Sequence, residues 1–377
     1  MRGLFFLFVL LAVRAVDAAP FRPQDDATVL ERLPGGGFLS PPRSARALDP
    51  NVAVILARAY IERSRAEGDP RPLGYAQGVL AAWWNAVDAP PDIVLLRATI
   101  KQARHDFDAA LVDLDFVVAR RPDSAQAWLT RATILKVQGK YPQAETACLQ
   151  LRGIADVFVA ELCSASIDGL RNPEAELEKL GTLRGREGQQ PLGIRAWFAS
   201  ESAESYERAG RWADADEVYR IAREQFTDDL GLRVASADFL LSQSQPREVL
   251  ALTQGRELID ALRLRELIAR RQLRESRPDL EAVTASAFEA AHRRREDLHL
   301  REEARFVLEV KGDPVSALAL AQRNWAVQHE FWDVRLLLQC ALAARQPQAA
   351  QPALDWIRES GFRDARIAPL LDQFDRS

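Results

Sequence analysis

Four histidines and three cysteines are the side chains of this sequence best suited to metal binding or nucleophilic chemistry. His292, Glu296, His299 and Glu303 could be considered as nitrogen and oxygen ligands of a metal ion. Charged residues surround this set and a turn is expected near Glu296, so a solvated surface is the favoured interpretation. Nitrogen and oxygen donors that are merely close in sequence identify a metal site poorly. No metal site and no cofactor are therefore predicted.

Carboxylates are abundant, but they form no catalytic pattern. The chain contains 54 Asp and Glu residues, and the spacing of Asp113 with Asp115, or of Asp214 with Asp216, is typical of a helix surface. General acid–base catalysis requires such groups to be partly buried and held against a substrate. The HExxH pattern of metalloproteases and the GxSxG pattern of hydrolases do not occur in the sequence. No catalytic residue is predicted.

The three cysteines are Cys148, Cys163 and Cys340. An odd number allows at most one bond within the chain and leaves one thiol over in an oxidising compartment. No CxxC spacing occurs, so neither a thioredoxin-like motif nor a zinc knuckle is indicated. The cysteines therefore point to structure rather than to catalysis.

The N-terminus has the pattern of a secretory signal peptide over residues 1–18. Arg2 gives the positive start, residues 3–13 form the apolar run, and Val16-Asp-Ala18 fits a small-x-small cleavage site. We expect cleavage after Ala18 and a periplasmic or secreted protein; an uncleaved interfacial helix is the alternative. Residues 19–48 are rich in Pro and Gly and predict a flexible leader.

Composition limits the possible partners. The 377 residues are 47% hydrophobic and 28% charged, with a formal net charge of −4. This mild acidity argues against a general nucleic-acid binder, which usually has a clearly basic surface. No segment after the signal peptide approaches the roughly 20 apolar residues that a transmembrane helix needs. We therefore expect no integral membrane segment and no nucleic-acid partner.

The stretch that organises the chain is Pro91–Asp156, in which one pattern occurs twice at a step of about 34 residues. The equivalent positions are Val94 and Trp128, Ala98 and Ala132, Phe107 and Tyr141, and Ala110 and Ala144. The same pattern returns over 194–227, with Ala203, Tyr206, Gly210, Trp212, Ala215, Tyr219 and Ala222 in the corresponding places. Helical periodicity continues from Asn51 almost to the end, and no alternating strand pattern is found.

This period and these small and aromatic positions resemble the tetratricopeptide repeat (TPR). The resemblance implies an all-α fold, a right-handed α-solenoid of about eight or nine helix-turn-helix pairs. We divide it into N-terminal repeats over 49–184, an irregular joint over 185–193, C-terminal repeats over 194–365 and a capping tail over 366–377. Pro352 should kink or delay the start of the last repeat helix.

The resemblance also places Cys148 and Cys163 on helices that pack side by side. A disulfide between them is therefore possible, and two small buried hydrophobic residues are the alternative. In the same way, His105 is expected to be a turn residue, because Gly139 and Gly210 hold the equivalent positions in other copies.

Stacked helix pairs form a concave groove lined by the first helix of each pair. The resemblance predicts that the groove contains Leu95, Thr99, Gln102, Leu129, Thr133, Lys136, Ser200, Glu204, Glu207, Val234 and Asp238. The first six are apolar or neutral apart from Lys136, and the last five are acidic overall. Some relatives clamp a terminal carboxylate in this groove with Lys, Asn and Arg, but here Lys136 is the only ammonium at matching positions.

The resemblance therefore implies a non-enzymatic scaffold that binds a protein or peptide partner, such as an extended or helical segment of another envelope protein. A structural or assembly factor of the cell envelope, which acts through its convex faces or ends, is the first alternative. An enzyme with a site built across several repeats is the least favoured alternative.

Overall fold

The computed structural model describes residues 48–293 and 299–376. The predicted signal peptide and leader up to residue 47 lie outside the described residues, as does Glu296. The described residues form nineteen α-helices and no strand. Among them, no helix is both long and apolar enough to cross a membrane.

The helices of the first half follow one another as predicted pairs. They are α1 (Pro50–Glu67), α2 (Arg71–Val79), α3 (Pro91–Ala103), α4 (Phe107–Arg120), α5 (Ala125–Val137), α6 (Tyr141–Leu149), α7 (Val157–Asp168), α8 (Pro173–Leu183), α9 (Leu192–Arg208) and α10 (Trp212–Gln225). A short 3-10 helix, Glu187–Gln189, lies within the predicted joint between α8 and α9.

The second half continues the series of pairs. It contains α11 (Leu230–Ser242), α12 (Pro246–Thr253), α13 (Asp260–Gln272), α14 (Pro278–Arg293), α15 (Leu300–Arg305) with a following π-helix (Phe306–Lys311), α16 (Pro314–Trp325), α17 (Phe331–Ala343), α18 (Gln351–Ser360) and α19 (Ala368–Phe374). The predicted all-α solenoid of helix pairs is confirmed by this order. A 3-10 helix over Pro347–Ala350 precedes α18, so the start of that helix is delayed near Pro352 as predicted.

The turn inside most pairs contains one residue in the left-handed region. These residues are Gly68, His105, Gly139, Gly210, Ser244, Arg274, Gly312 and Arg345, with φ between 57° and 73°. A positive φ ends the first helix and lets the second helix run back against it. His105 is therefore a turn residue, as its alignment with Gly139 and Gly210 predicts.

One predicted helix differs from the structure. The sequence predicts a helix over Tyr75–Ala86, whereas α2 begins at Arg71 and ends at Val79. After Val79 the chain continues as a short 3-10 helix, Ala81–Trp83. Arg97 Nη1 donates hydrogen bonds to the carbonyls of Trp83, Trp84 and Ala86 at 2.9–3.2 Å, which hold the end of this segment in a non-helical path.

The last repeats pack back onto the earlier ones, which a simple solenoid does not do. We call residues 328–367 the closing segment. Three backbone hydrogen bonds link it to earlier turns: His329 N to Val137 O at 2.7 Å, Arg363 N to Leu170 O at 2.9 Å and Ala365 N to Arg208 O at 2.9 Å. One hydrophobic core contains residues of both 132–170 and 304–367.

Trp356 is the central side chain of this closure. Its ring lies 5.8 Å from that of Tyr141, 5.6 Å from that of Trp325 and 5.3 Å from that of Phe362, measured between centroids. It also fills the space beside Gly139, where an added Cβ atom would come within 2.6 Å of the indole Nε1. Only glycine fits this turn without a shift of the indole, since Gly139 also has a φ of 71°.

Candidate functional site

The predicted groove residues differ widely in exposure. Thr133 is exposed. Seven are half-buried, namely Leu95, Gln102, Leu129, Lys136, Ser200, Glu204 and Val234. Thr99, Glu207 and Asp238 are buried. The accessible members of this predicted set are therefore mostly apolar or neutral, and several of its charged members are paired within the chain.

The main electrostatic feature beside the predicted groove residues is a buried cluster around Arg208, at the end of α9. Its Nη2 donates to Glu176 Oε1 and Oε2, both at 2.8 Å, and to Glu201 Oε1 at 2.7 Å. Lys136 of α5 reaches the same Glu201, with Nζ 3.3 Å from Oε2. Two cations and two buried carboxylates thus connect α5, α8 and α9, and Lys136 is not free to bind a partner.

Glu176 occupies an unusual place in the repeat. It is the fourth residue of α8, where α4, α6 and α10 have Ala110, Ala144 and Ala215. The larger side chain fits because Gly169 in the preceding turn has no Cβ; an added Cβ would overlap the Glu176 carboxylate. A buried carboxylate replaces a buried methyl group here, and Arg208 supplies the charge that stabilises it.

Burial and ion pairing move the pKa values of the two carboxylates in opposite directions. Burial raises the pKa of Glu176 to about 7, although Arg208 opposes the shift. Burial also acts to raise the pKa of Glu201, but Lys136 and Arg208 together outweigh it and hold that pKa at about 2. The position of Lys136 explains the difference, since it contacts only Glu201.

Glu207 is bound within the chain and does not face a partner as an acidic group. The Tyr219 hydroxyl donates to its Oε1 at 2.8 Å, and Arg366 Nη1 lies 3.4 Å from the same oxygen. Arg366 also pairs with Asp364 and lies 3.5 Å from the ring centroid of Phe331. Arg366, the first residue of the predicted capping tail, is thus buried against the repeats.

Asp238 is similarly enclosed. Arg265 Nη2 donates to its Oδ2 at 2.8 Å, and Arg305 Nη1 donates to its Oδ1 at 2.9 Å. Burial acts to raise the pKa of Asp238, but the two guanidinium groups outweigh it and the pKa is lowered. The acidic character predicted for this half of the groove is therefore largely neutralised, and Glu204 is its remaining partly exposed carboxylate.

A third cluster lies where the closing segment meets the earlier turns. Arg301 donates from Nε to Asp333 Oδ1 at 2.7 Å and from Nη2 to Glu330 Oε2 at 2.7 Å. Gln328 Nε2 lies 3.4 Å from His105 Nδ1. Burial lowers the pKa of His105 to about 4, so its ring is neutral at pH 7.

In these clusters the charged groups point at one another and join helices of different repeats. Among residues 48–293 and 299–376, no group of three His, Cys, Asp or Glu side chains is placed to hold a metal ion. His292 and Glu303, from the set considered in the sequence, form one surface hydrogen bond at 2.8 Å.

The cysteines are placed as the repeat pattern suggests. Cys148 of α6 and Cys163 of α7 form a disulfide, with Cα atoms 5.6 Å apart. Cys340 is a buried free cysteine in α17. Burial raises the pKa of its thiol to about 12, so it is not a reactive nucleophile near neutral pH.

The key members of the buried clusters were missed in the sequence because their partners lie far away in it. Arg208 and Glu176 are 32 residues apart, and Arg305 and Asp238 are 67 apart. One local signal existed: a glutamate at position 176, where the equivalent residue of neighbouring repeats is alanine.

The helix order, the turns and the stacked first helices define an all-α solenoid of tetratricopeptide-like pairs. No family model matches the chain, and no curated protein matches it in sequence.

Solved structures with a similar arrangement include a tetratricopeptide repeat protein from Parabacteroides merdae, with 12% identity, a TM-score of 0.34, and coverage of 85% of this chain and 99% of that one. The TPR domain of P58(IPK) has 18% identity and a TM-score of 0.28, and the match covers 87% of this chain and 98% of that domain. A human IFIT1 dimer with m7Gppp-AAAA has 14% identity and a TM-score of 0.37, and the match covers 81% of this chain and 79% of the IFIT1 chain.

Proposed function

We propose that this chain is a non-enzymatic, exported scaffold that binds a segment of another protein in its concave groove. The observation that carries the proposal is a set of accessible side chains on four of the first helices, α3, α5, α9 and α11. Leu95 on α3, Leu129 and Thr133 on α5, Ser200 and Glu204 on α9 and Val234 on α11 hold equivalent groove positions and retain exposed surface. A set of this kind suits a segment that runs across several repeats.

The charges beside this set indicate what sort of segment would fit. Lys136 is paired with Glu201, and Asp238 with Arg265 and Arg305. A partner that relied on its terminal carboxylate would have to break one of these pairs, which is costly when the remaining charge stays buried. We therefore favour an internal, mainly apolar or neutral segment of an envelope protein, not a chain terminus.

Export is part of the same proposal. The sequence pattern of residues 1–18 supports cleavage after Ala18 and a periplasmic or secreted location. The disulfide between Cys148 and Cys163 supports it as well, because such bonds persist mainly in oxidising compartments. N-terminal sequencing of the purified protein would test it: a start at Ala19 is expected, and an intact Met1 would contradict cleavage.

The binding proposal is tested by a photo-crosslinking residue placed at Thr133 or at Glu204 in intact cells. A matched control carries the same residue at Val112, which is 68% exposed on α4, a second helix that faces away from the groove. We expect one dominant envelope protein to be captured from Thr133 and Glu204 and not from Val112. Crosslinks only within the chain, or equal capture from Val112, would contradict groove binding.

A structural or assembly role through the convex faces is the second candidate, and one observation favours it. The closing segment is packed against the ends of the first helices, and large apolar residues remain exposed elsewhere, for example Val112, Leu192 and Leu258. Dominant capture from Val112 or Leu258 with none from Thr133 would support this role and overturn the groove proposal.

A further inference from the structure

A cavity of about 440 Å³ lies in the fourth repeat, between the α6–α7 loop, α7 and α8. Its lining includes Arg152, Gly153 and Ala155 from the loop, Val157, Ala160, Glu161 and Ser164 from α7, and Lys179 and Thr182 from α8. The volume falls within the roughly 300–1,000 Å³ of ligand pockets. Six of the nine lining residues are exposed, so the pocket is open to solvent: Arg152, Gly153, Val157, Glu161, Lys179 and Thr182. None of the eleven predicted groove residues lines it, although Glu161 holds the position in α7 that Leu129 holds in α5.

The repeat pattern explains why this space is empty. Counted back from the start of the second helix, Ala160 in α7 is equivalent to Trp128 in α5. The Trp128 indole packs on the core, and its Nε1 donates to Pro122 O in the preceding loop at 2.9 Å. At position 160 the indole is replaced by a methyl group, and the loop before α7 forms one wall of the cavity that results.

The charges at the mouth define what the cavity would accept. Lys179 is paired with Asp168, and Glu161 lies 3.4 Å from Arg186. Arg152 is exposed and, within the described part of the chain, has no carboxylate at ion-pair distance. The apolar part of the lining consists of Ala160, which is buried, Ala155, which is half-buried, and Val157, which is 58% exposed. A ligand with an apolar ring and one negative charge would complement both the apolar lining and the Arg152 guanidinium.

We propose that this cavity is a binding site for a small aromatic monocarboxylate, whose ring takes the place that Trp128 fills in the preceding repeat. The carboxylate of the ligand pairs with the Arg152 guanidinium at the mouth. The ring contacts Val157 and Ala160. The site lies within a single repeat, and its ligand need not contact any of the eleven predicted groove residues.

The test is a ligand-detected NMR titration of the full mature chain with N-acetyl-tryptophan and with its neutral amide. For a ligand of this size we expect a Kd of about 0.1–1 mM. The amide should bind about two- to fivefold more weakly, as for loss of one solvent-exposed ion pair. A peptide that ends in tryptophan with a free carboxylate is titrated in parallel.

Two variants locate the site. Ala160→Trp supplies the missing indole from the protein itself and should weaken binding of both ligands more than about tenfold, as expected when the ring's own space is filled. Arg152→Gln changes only an exposed residue, so it tests the proposal even if Ala160→Trp perturbs folding. In this variant N-acetyl-tryptophan should bind only as tightly as its neutral amide. Arg65→Gln, an exposed arginine on α1, is the matched control and should change nothing.

Three outcomes would overturn the inference. One is no saturable binding of N-acetyl-tryptophan up to about 10 mM, well above the expected Kd range. Another is binding that survives both Ala160→Trp and Arg152→Gln. The third is a terminal-tryptophan peptide that binds more than about tenfold tighter than the free acid, which would assign the cavity to a polypeptide end.

Discussion

Replacement of Arg208 by methionine is the most direct test of the buried cluster. Methionine keeps an unbranched apolar side chain that fills irregular space, and it removes the guanidinium. Glu176, which is 0% exposed, then loses its three hydrogen bonds from Arg208, and Glu201, which is 5% exposed, loses one. Lys136 remains as a cation, but it contacts only Glu201.

The expected cost follows from leaving a buried carboxylate without its partner. Removal of one member of a buried ion pair typically destabilises a protein by about 3–5 kcal/mol. We expect a loss in this range at pH 7, because both carboxylates of the cluster sit below the surface. The second substitution Glu176→Gln, added to Arg208→Met, should recover about 1–3 kcal/mol, the usual size of coupling between contacting residues.

The pH dependence gives an independent signature. The pKa of Glu176 in the folded chain is already raised to about 7, above its usual 4.5. A carboxyl with a raised folded pKa contributes stability at low pH, below its unfolded pKa, and loses it as the pH rises through the folded value. Removal of Arg208 raises that pKa further. The deficit of Arg208→Met should therefore grow as the pH rises through about 7, where Glu176 ionises in the parent chain but stays protonated in the variant.

Urea unfolding followed by circular dichroism measures both effects. Arg220→Met is the matched control, since Arg220 also contacts two carboxylates, Glu217 at 2.7 Å and Glu224 at 3.2 Å, but is 49% exposed. Exposed pairs contribute little, so this control should cost less than about 0.5 kcal/mol. A cost below about 1 kcal/mol for Arg208→Met, or equal costs for the two variants, would refute the reasoning.

Three further predictions concern the closure and the thiol. Gly139→Ala should destabilise the chain by about 1–3 kcal/mol more than Gly153→Ala in thermal unfolding, because both have positive φ but only Gly139 abuts Trp356; equal costs would argue against this packing. The His105 pKa is lowered to about 4, so the stability it contributes above pH 6.5 is lost as the pH falls to 4. In His105→Asn, the free energy of unfolding should therefore fall by about 1–2 kcal/mol less between pH 6.5 and pH 4 than in the parent chain. An unchanged dependence of this free energy on pH would contradict the prediction. Cys340 should resist thiol reagents at pH 8 and react once urea is added; rapid native labelling would show that it is accessible.

The helix pairs could be predicted because their signals are local. The small and aromatic residues of 91–156 recur at one spacing, and each pair is held mainly by its own two helices and its neighbours. The turn at His105 was predictable for the same reason, since Gly139 and Gly210 mark equivalent places. Pro352 delayed α18 as expected, because a proline cannot sit inside a helix without the loss of a hydrogen bond.

The closure could not be predicted, because its contacts join parts of the chain that no repeat pattern relates. His329 lies 191 residues from Gln138, whose carbonyl it contacts at 3.1 Å. The positions of Glu207 and Asp238 on the first helices were predictable, but their partners Arg366 and Arg305 come from distant repeats. The position of a residue in the repeat predicts the direction in which its side chain points. It does not predict which distant segment of the chain packs against that side chain.

This closure changes how the solenoid should respond to a partner. In an open array each repeat contacts only its neighbours, and its stability is close to a sum of local terms. Here Arg208 pairs with Glu176 through its side chain while its carbonyl accepts a hydrogen bond from Ala365 of the closing segment. Glu204, which remains accessible, lies 3.8 Å from the same guanidinium. A partner that contacts Glu204 therefore acts on the residue that joins α8, α9 and the closing segment, so binding and closure should be energetically coupled.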